Sequence, residues 1–283
     1  GVTMGDNALG SWQGGNPGEP ARMAALVEGC GFRARPLRQA RGWGYQRLSA
    51  LGTIIVVDAA PPPSSKMAAS GSASTLALEL SDGAQRVVVN CGGPGLAPTA
   101  LPQELVHALR STAAHSTFVL DDSNSTAILP DGSLGRGVNA VDVARSEDND
   151  CSRLEVSHDG YVRRFGLVHQ RRLSLGNDGK EVRGEDRLTL RGRKKIREAA
   201  PFAIRFHLAP GVEATITADR MGAILRSPGA PPWNFRCRGA ILQIEDSLFI
   251  DGNGLSVPAP QLVVVGEVSA IGGEIAWQFR RSS

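Results

Sequence analysis

The sequence predicts an all-β protein, a large two-sheet antiparallel β-sandwich with two short peripheral helices. Three observations predict it. Strand-like apolar segments recur at roughly 8–15-residue spacing, 34 glycines and 17 prolines punctuate the 283 residues, and long helical periodicity is scarce. Because helices of about 10–15 residues between strands are missing, a doubly wound parallel sheet is disfavoured.

The predicted strands share β-branched runs or an alternation of apolar and polar residues, bounded by turn residues. In chain order they are 53–58, 76–80, 86–90, 117–120, 202–208, 212–217, 222–225, 240–244, 261–266 and 274–279. Segments 59–71 and 132–150 are predicted as surface loops or linkers.

Two segments have helical spacing. In 21–28 apolar residues recur at i, i+3 and i+4, and in 102–109 Leu105, Val106 and Leu109 share one face. A proline lies near the start of each segment, where its missing N–H costs nothing. Both helices are predicted to be short.

Composition excludes several classes of protein. A hydrophobic fraction of 41% and a charged fraction of 21% are those of a folded chain. No apolar run approaches the roughly 18 residues of a membrane-spanning helix. The net charge is only +3, and the basic run 191–197 has no interleaved aromatic residues, so no nucleic-acid partner is expected. The four cysteines form no CxxC pair, and the sequence does not decide between disulfides and free thiols.

Two of the five histidines are candidates for chemistry. His115 precedes a predicted strand between serine and threonine residues, and His169 lies in a basic strand segment with Arg171 and Arg172. A histidine in either place could move a proton or bind a ligand. A hydrogen-bonded structural histidine is the alternative at both positions.

An ordered series of short segments along nearly the whole chain carries a resemblance to one family. The segments are 4–9, 44–48, 58–63, 78–83, 87–92, 110–115, 157–161, 169–172, 184–186, 205–208, 233–235 and 276–279. Together they resemble the C-terminal portion of heparinase II/III-like polysaccharide lyases.

The resemblance implies the second part of a two-part enzyme. An N-terminal α/α toroid would come first in the same gene product. Residues 1–283 would form a single sandwich domain, with 1–58 a leading segment that connects to the toroid. The implied reaction is β-elimination on an acidic, uronic-acid-containing polysaccharide, in which a base takes a proton and an acid protonates the leaving oxygen. A homodimer is possible, and the family suggests a periplasmic or secreted location in a Gram-negative bacterium, with the cytoplasm also open.

The family's sandwich residues carry over incompletely. His115 matches a histidine that is a metal ligand in metal-bearing members, Asn90 falls where those members have an aspartate, and 70–75, including Ser72, falls where many have histidines. Two protein ligands are too few for a tetrahedral site, so neither a metal nor another cofactor is expected. His115 and His169 are the catalytic candidates, and Arg110, Arg171 and Arg172 are the substrate-binding candidates.

These observations leave two main hypotheses. The chain is either the sandwich domain of a lyase or a non-catalytic carbohydrate-binding or scaffolding sandwich with a decayed site. Whether it takes part in catalysis stays open from the sequence, and a nucleic-acid-binding module based on 191–197 is a weaker third hypothesis.

Overall fold

The computed structural model describes residues 28–29, 39–40, 44–63, 71–93, 101–191, 199–251 and 254–282. Within them, two antiparallel sheets pack face to face, with two short α-helices at their edges. The predicted two-sheet sandwich is confirmed. The predicted helix 21–28, the segment 4–9, Cys30 and residues 192–197 of the basic run lie outside the described residues, apart from Glu28.

The first sheet has nine described strands, all paired antiparallel. Across the sheet they are β1 (Gln39–Ala40), β2 (Tyr45–Ala50), β3 (Thr53–Asp58), β4 (Leu78–Asp82), β5 (Gln85–Val89), β11 (Ala200–Leu208), β16 (Ser256–Val268) and β15 (Ile241–Ile250), and β6 (Phe118–Leu120) also pairs with β11. Strands β2 and β3 belong to this sheet although they fall within the leading segment 1–58.

The second sheet has eight described strands, again antiparallel. In order they are β12 (Glu213–Ile216), β13 (Gly222–Arg226), β14 (Trp233–Arg238), β17 (Gly272–Arg281), β10 (Glu181–Leu190), β9 (Leu167–Gly176), β8 (Cys151–His158) and β7 (Val141–Glu147). Its central strands keep an unbroken register, with Gly184 opposite both Leu173 and Trp277.

The short helices lie in the connections. Helix α1 (Gln103–Ala108) follows Pro102 as predicted, and a 3₁₀ turn covers Thr112–Ala114. Helix α2 (Val162–Phe165) ends at Gly166, whose φ of 75° lies in the left-handed region that glycine adopts without strain. None of the described helices has the length and apolarity needed to cross a membrane.

The main core lies between the sheets and is built from alternate residues of each strand. Phe206, Phe235, Phe279 and Trp277 meet there with ring centroids 4.8–5.8 Å apart. A smaller cluster of Ile54, Val56 and Ala77 lies on the opposite face of the first sheet. Both faces of β3 are therefore buried, as its continuous β-branched sequence requires.

One predicted loop is wrong in part. Segment 132–150 contains β7, an edge strand whose side chains are largely exposed, so it lacks the apolar alternation of a half-buried strand. Strands β1, β2, β8, β9, β10 and β14 were also missed. In β9 and β10, polar residues occupy several of the core-facing positions, which hides the alternation from a purely hydrophobic pattern.

Candidate functional site

A buried polar cluster lies where strands β3, β4 and β5 meet the loops 71–77 and 111–117. Its side chains are Asp58, Ser74, Glu79, Asn90 and Ser116, all of them buried. The Ser74 hydroxyl donates to Asp58 Oδ2 over 2.6 Å, and the Asn90 amide donates to Glu79 Oε1 over 3.0 Å. The Asn90 oxygen accepts the Ser116 N–H at 2.8 Å. Both ends of the Asn90 amide are therefore used inside the protein.

The Asp58 carboxyl has a pKa above its usual range. Burial raises its pKa to about 6, and the hydrogen bonds from Ser74 and the Ala60 backbone only partly oppose that effect. Burial, together with the nearby Asp58 and Glu79 carboxylates, also raises the pKa of the Tyr45 phenol. Burial therefore opposes the charged form of both groups, and Asp58 takes up a proton as the pH falls through about 6.

His115, the first catalytic candidate, borders this cluster but is 2% exposed. Its Nδ1 donates to the Ser111 carbonyl over 2.7 Å, since a carbonyl can only accept. Burial lowers its pKa to about 4, so the imidazole is neutral and its Nε2 is an acceptor. It is a weakly basic group inside the protein.

The residues at the family's metal positions do not fit a metal. Asn90 is already hydrogen-bonded at both ends, the loop 71–75 holds no histidine, and the Nδ1 of His115 is committed to a carbonyl. No group of three or more His, Cys, Asp or Glu side chains in the described part of the chain is placed to hold a metal ion. A zinc site needs three or four such ligands.

The second catalytic candidate, His169, belongs to a different cluster, between the two sheets. Its Nε2 lies 2.7 Å from Asp186 Oδ1, and its Nδ1 lies 3.2 Å from His158 Nε2. Arg171 pairs with the same Asp186 through two bonds of 2.8 and 2.9 Å. The Trp277 indole N–H donates to Asp186 Oδ2 over 2.8 Å.

The hydrogen bonds fix the tautomers of both histidines. His158 Nδ1 accepts the Gly160 N–H, so its Nε2 carries the proton and donates to His169 Nδ1. His169 Nε2 then donates to Asp186. Burial is the main cause that lowers the pKa of both imidazoles, and both are neutral.

Arg171, a substrate-binding candidate, is fully buried. Its Nη1 crosses from the second sheet and donates to the carbonyls of Leu76, over 2.9 Å, and Ser116, over 3.0 Å. All these bonds are internal, so the side chain joins the inter-sheet cluster to the loops around Asn90 and His115.

The other two arginine candidates lie apart. Arg110 is also buried and donates to the Gly71 and Gly132 carbonyls over 2.7 and 2.5 Å, tying two loops together. The Arg172 side chain is 43% exposed on the outer face of the second sheet, where it pairs with Glu155 and Glu185. Arg172 is thus the one of the three that faces solvent.

A further buried group was missed by sequence reasoning. His207 donates from Nε2 to the Ala113 carbonyl over 2.9 Å and accepts the Ser247 hydroxyl at Nδ1 over 2.8 Å, with Cys91 Sγ 3.4 Å away. Burial lowers the pKa of His207 to about 3 and raises that of the Cys91 thiol to about 11. The sequence signal was the alternation in β11. Phe202, Ile204 and Phe206 face the inter-sheet core, so Arg205 and His207 face away from it.

Comparisons with known proteins agree with this architecture. FtsZ-localized protein C of Caulobacter vibrioides is 30% identical over 99% of the chain, which spans 49% of that protein's length. The heparan sulfate lyase HepC of Pedobacter heparinus superimposes with a TM-score of 0.74 at 13% identity, over 100% of this chain and 45% of that one. A heparinase III structure gives 0.72 at 13% identity, over 99% and 45%.

The chain therefore spans about half the length of the curated relative it matches. Its residues 33–278 match the family described as "Heparinase II/III-like, C-terminal". With the sandwich fold and this match over most of its length, the chain belongs to the heparinase II/III-like C-terminal family.

Proposed function

We propose that this chain is the sandwich part of a heparinase-like protein in which it binds or scaffolds rather than contributing lyase chemistry. This proposal rests on the residues that occupy the positions of the family's metal ligands and histidines. Loop 71–75 holds no histidine, Asn90 is consumed by internal hydrogen bonds, and His115 is neutral and buried.

The reaction chemistry explains why these features count against catalysis by this domain. β-Elimination needs a group within hydrogen-bond reach of the substrate proton, with a pKa close to the working pH. His115 has a pKa of about 4 and His169 has both ring nitrogens bonded inside the core. Neither histidine offers a base to a polysaccharide in this arrangement.

The 30% identical relative supports a cellular setting for such a domain. That relative is FtsZ-localized, and its similarity extends over 99% of this chain. We therefore propose that the whole gene product also localises with FtsZ. The other half of that gene product would be an N-terminal toroid, the partner domain of this sandwich.

Two measurements on the full-length gene product test the proposal. Incubation with heparan sulfate, hyaluronate, alginate and unsulfated heparosan should release no unsaturated uronate by ultraviolet absorbance, while an active heparinase III serves as the positive control. A fluorescent fusion should co-localise with FtsZ in dividing cells. Formation of unsaturated product that is lost in His115→Gln would overturn the non-catalytic assignment, and a diffuse fusion would overturn the FtsZ assignment.

A second candidate function, binding of an acidic polysaccharide, is favoured by one surface. Five outward-facing arginines line a depression of about 810 Å³ on the outer face of the second sheet, together with Glu155 and Glu185. They are Arg153, Arg172, Arg183, Arg236 and Arg238. Guanidinium groups bind carboxylate and sulfate through paired hydrogen bonds, which suits a uronic-acid polymer.

The registers place three of these arginines in one row across the sheet. Arg153 and Arg183 both lie opposite Ser174, and Arg183 and Arg236 both lie opposite Gln278. Strands are about 4.8 Å apart, so the three arginines recur about every 10 Å. Side chains on one face of an extended peptide recur about every 7 Å, so this row matches a peptide ligand poorly. Their exposed ion pairs with Asp148, Glu181 and Asp219 are of a kind that is weak in water and exchanges readily.

Affinity for heparosan, with neutral dextran as the control polymer, tests this surface. Replacing Arg153, Arg183 and Arg236 together with serine should abolish heparosan retention, while the same change at Arg163, Arg220 and Arg226, away from this row, should not. Equal retention of both triple variants would exclude the row as the binding surface.

A further inference from the structure

Two segments of the polar cluster, 71–79 and 111–117, are joined from both sides. The Leu78 N–H donates to the Ser116 carbonyl over 3.2 Å, and the Thr112 hydroxyl donates to the Ala73 carbonyl over 2.9 Å. Side chains from elsewhere in the fold add a bond on each side of this junction. In metal-bearing members of the family this neighbourhood is where the resemblance places the metal, and the residues present here do not fit one.

On the outer side the added side chain is Asn90. Its amide donates to Glu79 in the first segment and its oxygen accepts the Ser116 N–H in the second. Ser116 in turn donates its hydroxyl to the Val89 carbonyl over 2.6 Å and accepts the His207 N–H over 2.9 Å. One neutral side chain thus spans both segments and anchors them to β5 and β11.

On the inner side the added side chain is Arg171. Its Nη1 donates to the carbonyl of Leu76 in the first segment and to that of Ser116 in the second. Two bonds to Asp186 hold the guanidinium in place. Leu76 has a φ of 65°, a left-handed conformation that a leucine adopts only when its surroundings impose it.

The hydrogen bonds of the cluster also differ from those of a metal site. The buried Asp58 carboxylate accepts a hydrogen bond from the Ser74 hydroxyl instead of facing a cation. Asn90, which bridges the two segments, is an amide that carries no charge.

We infer that Asn90 and Arg171 form a two-sided hydrogen-bond clamp that fixes segments 71–79 and 111–117 against each other, and that the clamp makes their geometry independent of a divalent metal. The clamp accounts for the strained Leu76, for the complete burial of Arg171, and for an amide at a position where a metal ligand would be a carboxylate. It does not depend on which function the domain has.

Hydrogen exchange followed by mass spectrometry tests the clamp. Asn90→Ala and Arg171→Met should each speed exchange in peptides covering 71–79 and 111–118 by about tenfold or more, because a lost hydrogen bond to a charged or buried group is worth that factor. Peptides from β17 should change much less. Arg172→Met, one residue along and facing outward, and Asn177→Ala, at an exposed turn, are the matched controls.

Milder variants keep the test decisive if a clamp variant fails to fold. Arg171→Lys keeps the charge beside Asp186 but presents a single ammonium in place of a fork, and Asn90→Ser removes one arm of the amide. Exchange that rises uniformly over both sheets, or not at all, would show that these residues only add general stability, and would overturn the clamp.

The unmodified protein serves to test whether the clamp is independent of a metal. Metal content, melting temperature and loop exchange are measured before and after treatment with EDTA. We expect the melting temperature and the exchange of 71–79 to stay the same. Stoichiometric zinc in the untreated protein, or a fall in melting temperature on chelation, would overturn the metal-independent clamp.

Discussion

Two aspartates buried to a similar depth, Asp186 and Asp58, have pKa values shifted in opposite directions in this sandwich. Burial raises the pKa of Asp186, but the adjacent Arg171 charge and the His169 hydrogen bond outweigh it and bring the pKa well below its usual range. Asp58 has a serine hydroxyl and backbone as its partners, and burial raises its pKa to about 6.

The difference shows that the partners of a buried carboxyl, more than its depth, decide the direction in which its pKa shifts. A guanidinium fork supplies a full charge and two aligned donors, whereas a hydroxyl supplies one dipole. The inter-sheet cluster is therefore ionic and intolerant of losing one member, while Asp58 in the outer cluster takes up a proton as the pH falls through about 6.

The largest effect is expected for removal of the ionic carboxyl. Asp186→Ala leaves Arg171, His169 and the Trp277 N–H without their shared acceptor, which should cost about 3–5 kcal/mol of unfolding free energy. Urea unfolding at neutral pH measures it. Glu181→Ala, which removes the partner of the exposed Arg183, is the control and should leave the urea midpoint nearly unchanged.

The histidines make stability fall in acid. His115, His158, His169 and His207 all have lowered pKa values in the folded chain. The unfolded chain therefore binds protons first as the pH drops through about 6.5, and stability is lost. For His115, with a folded pKa of about 4, the loss between about pH 7 and pH 5 is about 2 kcal/mol.

Asp58 should act in the opposite direction over the same range. Its raised pKa means that the folded chain binds the proton more tightly than the unfolded chain does. Protonation of Asp58 therefore adds about 1 kcal/mol to the free energy of unfolding as the pH falls. Urea unfolding over a pH series measures the sum, and His115→Gln should flatten the curve. A wild-type curve that rises toward acid would contradict the neutral state assigned to the histidines.

A smaller loss tests how tightly the ionic cluster is packed. A Cβ at Gly184 would lie 2.1 Å from the Trp277 ring, so Gly184→Ala must displace the indole that donates to Asp186. Such overpacking costs about 1–3 kcal/mol. In a double-mutant cycle, adding Trp277→Phe should recover part of this loss; strict additivity would mean that the indole does not move.

Strand β9 shows how much of the ionic cluster the sequence could reveal. Leu167, Leu173 and Leu175 face the core, and strand alternation gives His169 and Arg171 the same orientation. The alternation of inward and outward side chains could be read from the sequence. It could not explain an arginine at a core position, because the partner of that arginine was unknown. Asp186 is 15 residues away on β10, and only the strand register brings the two together.

Most of the first sheet was predictable because its apolar patterns are strong, as in Thr53–Asp58 and Ala200–Leu208. The candidate site was not, because its bonds join distant segments through backbone groups. The carbonyls of Leu76 and Ser116 carry no sequence signal for an arginine on β9. Arg171 and Arg172 were one candidate pair in sequence, and the sheet places them on opposite faces.

The smallest expected effect is the one that separates the two aspartates most directly. Asp58→Asn removes the ionisation but keeps an acceptor for the Ser74 hydroxyl, so its cost should fall by about 1 kcal/mol between about pH 5 and pH 7.5. Asp186→Asn should show no such gain, because its carboxylate stabilises the fold throughout that range. Urea midpoints of both variants at the two pH values measure the difference. Parallel shifts would mean that the pKa of Asp58 is not raised in the folded protein, and that burial beside a hydroxyl is no obstacle to its charge.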